Sequence, residues 1–133
     1  SVTREGRALR WRGRVTSPRG ADEIQLAIPP SVNLVSASVD GVPVPPPAPK
    51  LARWYGGWAV YRLHAGPEGV EVEMEVATPG ALEMVLADRS PDLPPEAARV
   101  AAARPRGVVT VQEGDGTLFT RRVRIEAPEP PVR

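Results

Sequence analysis

The sequence predicts an all-β protein: an antiparallel β-sandwich, Ig-like or jelly-roll-like, with one short helix in its last connection. Three observations predict this fold class. Apolar and polar residues alternate with a period of two in several segments, which is typical of half-buried strands. The 17 prolines and 12 glycines interrupt the chain too often for long helices, because an interior proline costs a helix about 3 kcal/mol. Turn signals recur at the short spacings typical of sandwiches.

The length and composition predict one domain. The 133 residues are 41% hydrophobic and 25% charged, which is typical of a globular chain that buries roughly two-thirds of its unfolded surface. We predict a single sandwich domain over residues 1–126 and a frayed, proline-rich tail over residues 127–133. Strand-like sequence starts directly after Ser1 without a signal peptide, so we expect a fragment of a longer protein. The sequence has no run of the ~18 to 20 apolar residues that a membrane-spanning helix needs.

The strand patterns in the first half of the chain cover residues 9–15, 24–28 and 32–39. A turn signal at Ser17-Pro18-Arg19-Gly20 separates the first two patterns. The third pattern reaches Asp40-Gly41, which is a strong hairpin signal. Val42 and Val44 then begin a return strand. The prolines around them confine that strand to a sheet edge or an extended polyproline stretch.

The strand patterns in the second half cover residues 54–63, 70–76, 82–86, 108–111 and 117–125. Gly56-Gly57 predicts a bulge or bend in the first of these strands. The last two strands form a hairpin around Gly114-Asp115-Gly116. Between the third and fourth strands, residues 94–103 predict the single helix, which Asp92 caps and Arg104-Pro105 ends.

The charge pattern argues against nucleic-acid binding. The net charge is +1, from 17 basic and 16 acidic side chains, and phosphate binding needs a clear positive excess. Arginines crowd residues 4–19, whereas acidic residues crowd residues 68–96. We interpret these charges as solvent faces of strands that pair across a sheet or between neighbours, with a binding patch as the alternative.

No residue pattern predicts a catalytic, cofactor or metal site. The chain has one histidine and no cysteine, whereas zinc and iron sites draw on several such ligands. His64 ends a strand pattern and is interpreted as a rim histidine, because no nucleophile elbow accompanies it. The carboxylates of Glu71, Glu73 and Glu75 lie about 7 Å apart along one strand face. A solvated face explains them without glycosidase chemistry.

One aromatic cluster is the candidate interaction surface. It contains four of the six aromatic residues of the chain: Trp54, Tyr55, Trp58 and Tyr61. Aromatic side chains on a strand can stack on sugars or anchor a partner protein, but they are also the natural bulk of a core that has so few of them. Strand alternation places Trp58 and Val60 on one face and Tyr61 and Leu63 on the other. We therefore expect one pair to pack in the core, which leaves the other pair on the side where it can be exposed.

The last third of the chain carries a family resemblance. Its features are a strand ending in Asp88-Arg89-Ser90, then Leu93-Pro94, Arg104-Pro105, Asp115-x-Thr117, and a final strand with Arg121 and Arg122. In these features the sequence resembles the extreme C-terminal domain of bacterial membrane-bound zinc aminopeptidases of the endoplasmic-reticulum metallopeptidase (Fxna-like) type. The resemblance covers about the last 50 residues and is weak before Trp54. Asp88 and Arg89 are interpreted as structural, either capping backbone groups or forming a local ion pair.

The resemblance implies a non-catalytic role. In that family the zinc ligands belong to a preceding catalytic domain, membrane helices follow it, and a soluble domain ends the chain. This fragment would be that last domain, on the periplasmic or extracytoplasmic side of the inner membrane. Its partners would be the catalytic and membrane domains of the same chain, and its arginine-rich first strand would lie near lipid headgroups.

Two hypotheses therefore follow from the sequence. The first is an accessory domain that supports or positions a membrane-anchored zinc metallopeptidase and is not itself an enzyme. The alternative is a free-standing module that binds carbohydrate, peptide or protein through the aromatic cluster. A weaker third hypothesis, a hydrolase centred on His64, would fail if replacing His64 changed no activity.

Overall fold

Two antiparallel sheets form the domain. A computed structural model of the chain describes residues 1–46, 48, 50, 53, 55–107 and 116–127. Its strands are β1 (Val2–Glu5), β2 (Ala8–Val15), β3 (Glu23–Ile28), β4 (Asn33–Val39), β5 (Val42–Pro43), β6 (Ala59–His64), β7 (Val70–Ala77), β8 (Leu82–Ser90) and β9 (Thr117–Ile125). The first sheet has the order β1-β2-β7-β4-β5, and the second sheet has the order β6-β3-β8-β9. All of these strand pairs are antiparallel.

The core lies between the two sheets and follows the period-two pattern. Its most deeply buried side chains come from both sheets: Leu9, Ile24, Leu26, Ile28, Val72, Val76, Leu82 and Met84. Because successive side chains of a strand point to opposite faces, the residues between these positions face outward. The predicted antiparallel β-sandwich is therefore confirmed.

The predicted hairpin at Asp40-Gly41 is confirmed with its turn chemistry. Asp40 and Gly41 have φ angles of 48° and 77°, as a type I′ turn requires at both central positions. The return strand β5 is only two residues long. The amide of Val44 still donates to the carbonyl of Ala37 at 2.9 Å, so the pairing extends one step further before the proline run.

The short helix lies in the last connection, as predicted, but it begins differently. A 3₁₀ turn over Pro95–Ala97 leads into the helix α1 (Ala98–Ala102). Pro94 occupies the N-cap position and no side chain caps the turn, so the prediction that Asp92 caps the helix is wrong. Pro95, which has no amide hydrogen to satisfy, supplies the first helical position instead.

The aromatic strand begins later than predicted. Strand β6 starts at Ala59, whereas residues 55–57 form a turn. Gly56 and Gly57 have left-handed φ angles of 63° and 89° and lie in this turn, so they precede the strand and are not a bulge within it. The predictions for Trp54, for residues 108–111 and for the tail beyond Ala127 lie outside the described residues.

Candidate interaction surface on the second sheet

The outer face of the second sheet is assembled from cross-strand rows. One row runs from Val60 through Ala27 and Val85 to Arg122. These residues alternate with the core positions of their strands, so they face away from the core. The next row along the strands is Arg62, Gln25, Ala87 and Thr120. The centre of this face is therefore built from small or apolar side chains, and arginines stand on both edge strands.

A groove of about 530 Å³ follows this face, and we call it the outer groove. Its apolar lining includes Trp58, Pro29 and Val85, while Arg122 and Glu83 contribute charge. The volume is within the roughly 300–1,000 Å³ range of small-ligand pockets. An aromatic ring beside apolar side chains and a guanidinium is a combination that anchors partner proteins.

The structure separates the predicted aromatic cluster. Tyr61 is 9% exposed and belongs to the core, where burial raises the pKa of its phenol. Trp58 is half-buried and lines the outer groove. Tyr55 is 41% exposed, and its hydroxyl accepts a hydrogen bond from Arg62 Nη2 at 3.1 Å. Tyr55 and Trp58 therefore lie near the β6 edge of the sheet, whereas Tyr61 is not available to a ligand.

Charge on the β9 side of the outer groove is incompletely matched. Arg124 donates to Glu83 Oε1 at 2.7 Å and also pairs with Glu126, and these contacts raise the pKa of its guanidinium. Arg122 stands across from Val85 and forms no ion pair with any part of the chain that the structure describes. This arginine therefore keeps its hydrogen-bonding capacity for something outside the described residues.

The outer face of the first sheet carries the opposite arrangement. Three arginines of β2 stand directly across from three glutamates of β7: the pairs are Arg10–Glu75, Arg12–Glu73 and Arg14–Glu71. Arg10 binds Glu75 at 2.7 Å, and Arg12 binds the diagonal Glu71 at 2.7 Å. The interpretation of the β2 and β7 charges as solvent faces that pair across a sheet is confirmed. We call this arrangement the charge ladder.

The carboxylate of Asp88 has hydrogen-bond and ion-pair partners that the sequence analysis did not predict. It is 8% exposed and accepts hydrogen bonds from Ser17 Oγ at 2.8 Å and Arg19 Nε at 3.0 Å. Burial alone would raise the pKa of the Asp88 carboxyl, but the bonds from Arg19 and Ser17 lower it below the ordinary value. The prediction of a local partner is wrong. The ion pair bridges 69 positions of sequence, and Arg89 contacts Glu23 instead at 3.9 Å.

The residues weighed for catalysis are not brought together. His64 is exposed at the end of β6, and the glutamates of β7 belong to the charge ladder. Within residues 1–46, 55–107 and 116–127, no group of three His, Asp or Glu side chains is placed to hold a metal ion. No helix in the described part of the chain is long and apolar enough to cross a membrane.

Comparison of the chain with protein-family models, curated proteins and solved structures found no match.

Proposed function

We propose that this chain is a non-catalytic accessory domain that docks onto another protein segment through the outer face of its second sheet. One observation supports the choice of face. The outer groove places Trp58 and an arginine without an ion pair in the described residues on one surface. Aromatic and arginine side chains are the residue types enriched at protein interfaces.

The proposed parent protein is a membrane-anchored zinc metallopeptidase. The resemblance of residues 82–125 supports this parent. Its motif residues lie at the ends of the last strands and at the start of the short helix. Asp88-Arg89-Ser90 ends β8, Pro94 precedes the short helix, and Thr117 begins β9. The zinc ligands would belong to the catalytic domain, and this domain would stand on the periplasmic side of the inner membrane.

Contact of β2 with lipid headgroups is part of the proposal, although it requires existing ion pairs to be broken. Arg10 and Arg12 are engaged by Glu75 and Glu71, so a headgroup phosphate would have to displace a carboxylate at each position. Exposed ion pairs are weak, so such an exchange is energetically accessible. The charge ladder as a whole presents no excess of positive charge.

The docking proposal is tested by hydrogen exchange in the full parent protein. Arg122→Glu should increase amide exchange at residues 83–85 and 122–124 by about tenfold, which corresponds to about 1.4 kcal/mol of lost docking. Arg121→Glu is the matched control, because Arg121 is the neighbouring residue on the opposite face of β9. Equal exchange in both variants, or protection confined to β2 and β7, would contradict docking through the outer groove.

The second candidate function is a free-standing module that binds carbohydrate or peptide. The observation that favours it is the presence of Trp58, Glu83 and Arg122 around one groove, since an aromatic face with flanking polar groups can stack on and orient a sugar. Titration with a glycan and peptide panel should then shift the Trp58 indole resonance. No response from that indole would leave this candidate unsupported, and membrane helices encoded upstream would favour the peptidase domain.

A further inference from the structure

A second groove lies between the sheets, on the side where β9 forms the margin of the sandwich. We call it the seam groove, and its volume is about 450 Å³. Strand β1 pairs only with residues 8–11 of β2. From Gly13 to Val15, β2 therefore has no strand beside it on that side among the described residues. The inner face of β9 and the end of β2 both contribute to the groove.

The lining of the seam groove is mainly apolar. Val15 and Ile24 are core residues that reach its wall, and Leu86 is half-buried beside them. Phe119 is 64% exposed, a large fraction for a phenylalanine. Arg19 lies 5.2 Å from the centre of the Phe119 ring, and this cation–π contact holds the ring at the groove. The groove thus offers a hydrocarbon chain an apolar surface with one aromatic wall.

The seam groove has a net positive charge, because its one carboxylate is paired with an arginine while a second arginine has no such partner among the described residues. Asp88 lines it, but its carboxylate is engaged by Ser17 and Arg19. Arg121 stands across from Leu86, on the inner side of β9, and lines the same groove. It makes no ion pair or hydrogen bond to the residues that the structure describes. Among the described residues, the apolar groove therefore carries one guanidinium that has no ion-pair partner.

We propose that the seam groove binds an amphipathic carboxylate, a carboxylate group on an unbranched hydrocarbon chain. The chain would lie against Val15, Leu86 and Phe119, where each apolar contact is removed from water. The carboxylate would accept paired hydrogen bonds from the planar guanidinium of Arg121. This site does not depend on the proposed docking function, because it uses a different groove and a different arginine.

The test is an NMR titration of the 133-residue chain with decanoate below its micelle concentration. Decyltrimethylammonium, which carries the same hydrocarbon chain with the opposite charge, is the comparison probe. We expect decanoate to shift the amide resonances of Val15, Ile24, Leu86 and Phe119 saturably, with a Kd between about 1 µM and 1 mM for a ligand of this size. The ammonium probe should bind at least about tenfold more weakly, because it would meet Arg121 with like charge.

Two variants identify the groups responsible. Arg121→Gln should weaken decanoate binding by about tenfold, whereas Arg122→Gln on the opposite face of β9 should leave it unchanged. Phe119→Ala should weaken binding of both probes, because it removes an apolar wall and leaves Arg121 in place. The exposed positions of these side chains make folded variants the expectation, checked by unchanged amide spectra in β2, β7 and β8. Equal binding of the two probes, shifts elsewhere in the chain, or equal effects of the two arginine variants would overturn the proposal.

Discussion

The two outer faces of the sandwich are built by the same alternation of side chains, but they differ in how completely their charged side chains are paired across strands. On the first sheet, the register places Arg10 across from Glu75 and Arg12 across from Glu73, and Ser36 and Ser38 of β4 continue the polar rows. On the second sheet, Arg124 stands across from Glu83 and bonds to it, but the next arginine, Arg122, stands across from Val85. The difference teaches that alternation determines which side of a strand faces water, whereas register determines whether the charges on that side are matched.

Arginines that are already paired with carboxylates contribute less to binding a partner than arginines that are not. An arginine already bonded to a carboxylate must give up that partner before it binds another, so the charge ladder contributes little to association. Arg121 and Arg122 make no such bond to the described residues, so neither has to exchange one of those partners. The outer groove and the seam groove accordingly lie on opposite faces of β9, whereas the proposed headgroup contact of β2 would require carboxylates to be displaced. The following predictions test the contrast between the matched face and the incompletely matched face, from the largest expected effect to the smallest.

The largest effect is expected from Gly69→Ala, which should disrupt the end of the charge ladder. Gly69 has a φ angle of 71°, and a Cβ atom there would lie 2.2 Å from the carbonyl oxygen of Val15. That oxygen belongs to the backbone and cannot move without shifting the Val15–Val70 pairing. We expect a loss of about 3 kcal/mol or more in the free energy of unfolding, measured by urea titration.

Gly66→Ala is the matched control for this prediction. Gly66 lies in the same turn, has no left-handed φ angle and would place its Cβ in open space. Its substitution should be neutral or stabilise the fold by up to about 1 kcal/mol. Equal losses in the two variants would show that register at this turn does not depend on the close approach of Gly69 to β2.

A smaller loss in the free energy of unfolding is expected from Asp88→Asn. This substitution measures the contribution of a partly buried ion pair, for comparison with the exposed ion pairs of the charge ladder. The substitution leaves Arg19 without its carboxylate, although the Arg19 side chain is 30% exposed and water can partly replace the lost partner. We expect a loss of about 2 kcal/mol at pH 7. Urea titrations of both proteins provide the measurement.

The pH dependence of the Asp88 effect has a definite sign. The folded-state pKa of Asp88 is lowered from its ordinary value of 3.8, so its stabilising contribution is present above about pH 4. It is lost as the pH falls through the lower folded-state pKa. The stability difference between the wild type and Asp88→Asn should therefore shrink below pH 4. A difference that stayed constant from pH 7 to pH 2 would contradict the role of the ionised carboxylate.

Local sequence predicted the parts of this molecule that depend on neighbouring residues. Alternation predicted β2 and β7, and Asp40-Gly41 predicted a hairpin whose turn requires two positive φ angles. The start of the aromatic strand was wrong because the left-handed Gly56-Gly57 turn removes Tyr55 from it. The partner of Asp88 could not be predicted, since Arg19 is 69 positions away. The lack of an ion-pair partner for Arg122 within the described part of the chain could not be predicted either, because it depends on the register between β8 and β9.

The smallest effect is expected within the charge ladder itself. Arg12 and Glu71 are 57% and 37% exposed at their side chains, and water screens such pairs strongly. A double-mutant cycle of Arg12→Ala and Glu71→Ala should give a coupling energy several-fold smaller than the Asp88→Asn effect. In 1 M salt, where the screening length is about 3 Å, the coupling should disappear. The effect of Asp88→Asn should persist to a larger extent, because the Asp88 side chain is only 10% exposed. A coupling that survived high salt would mean that the ladder acts as a cooperative network. The matched face would then contribute to stability as well as to charge balance.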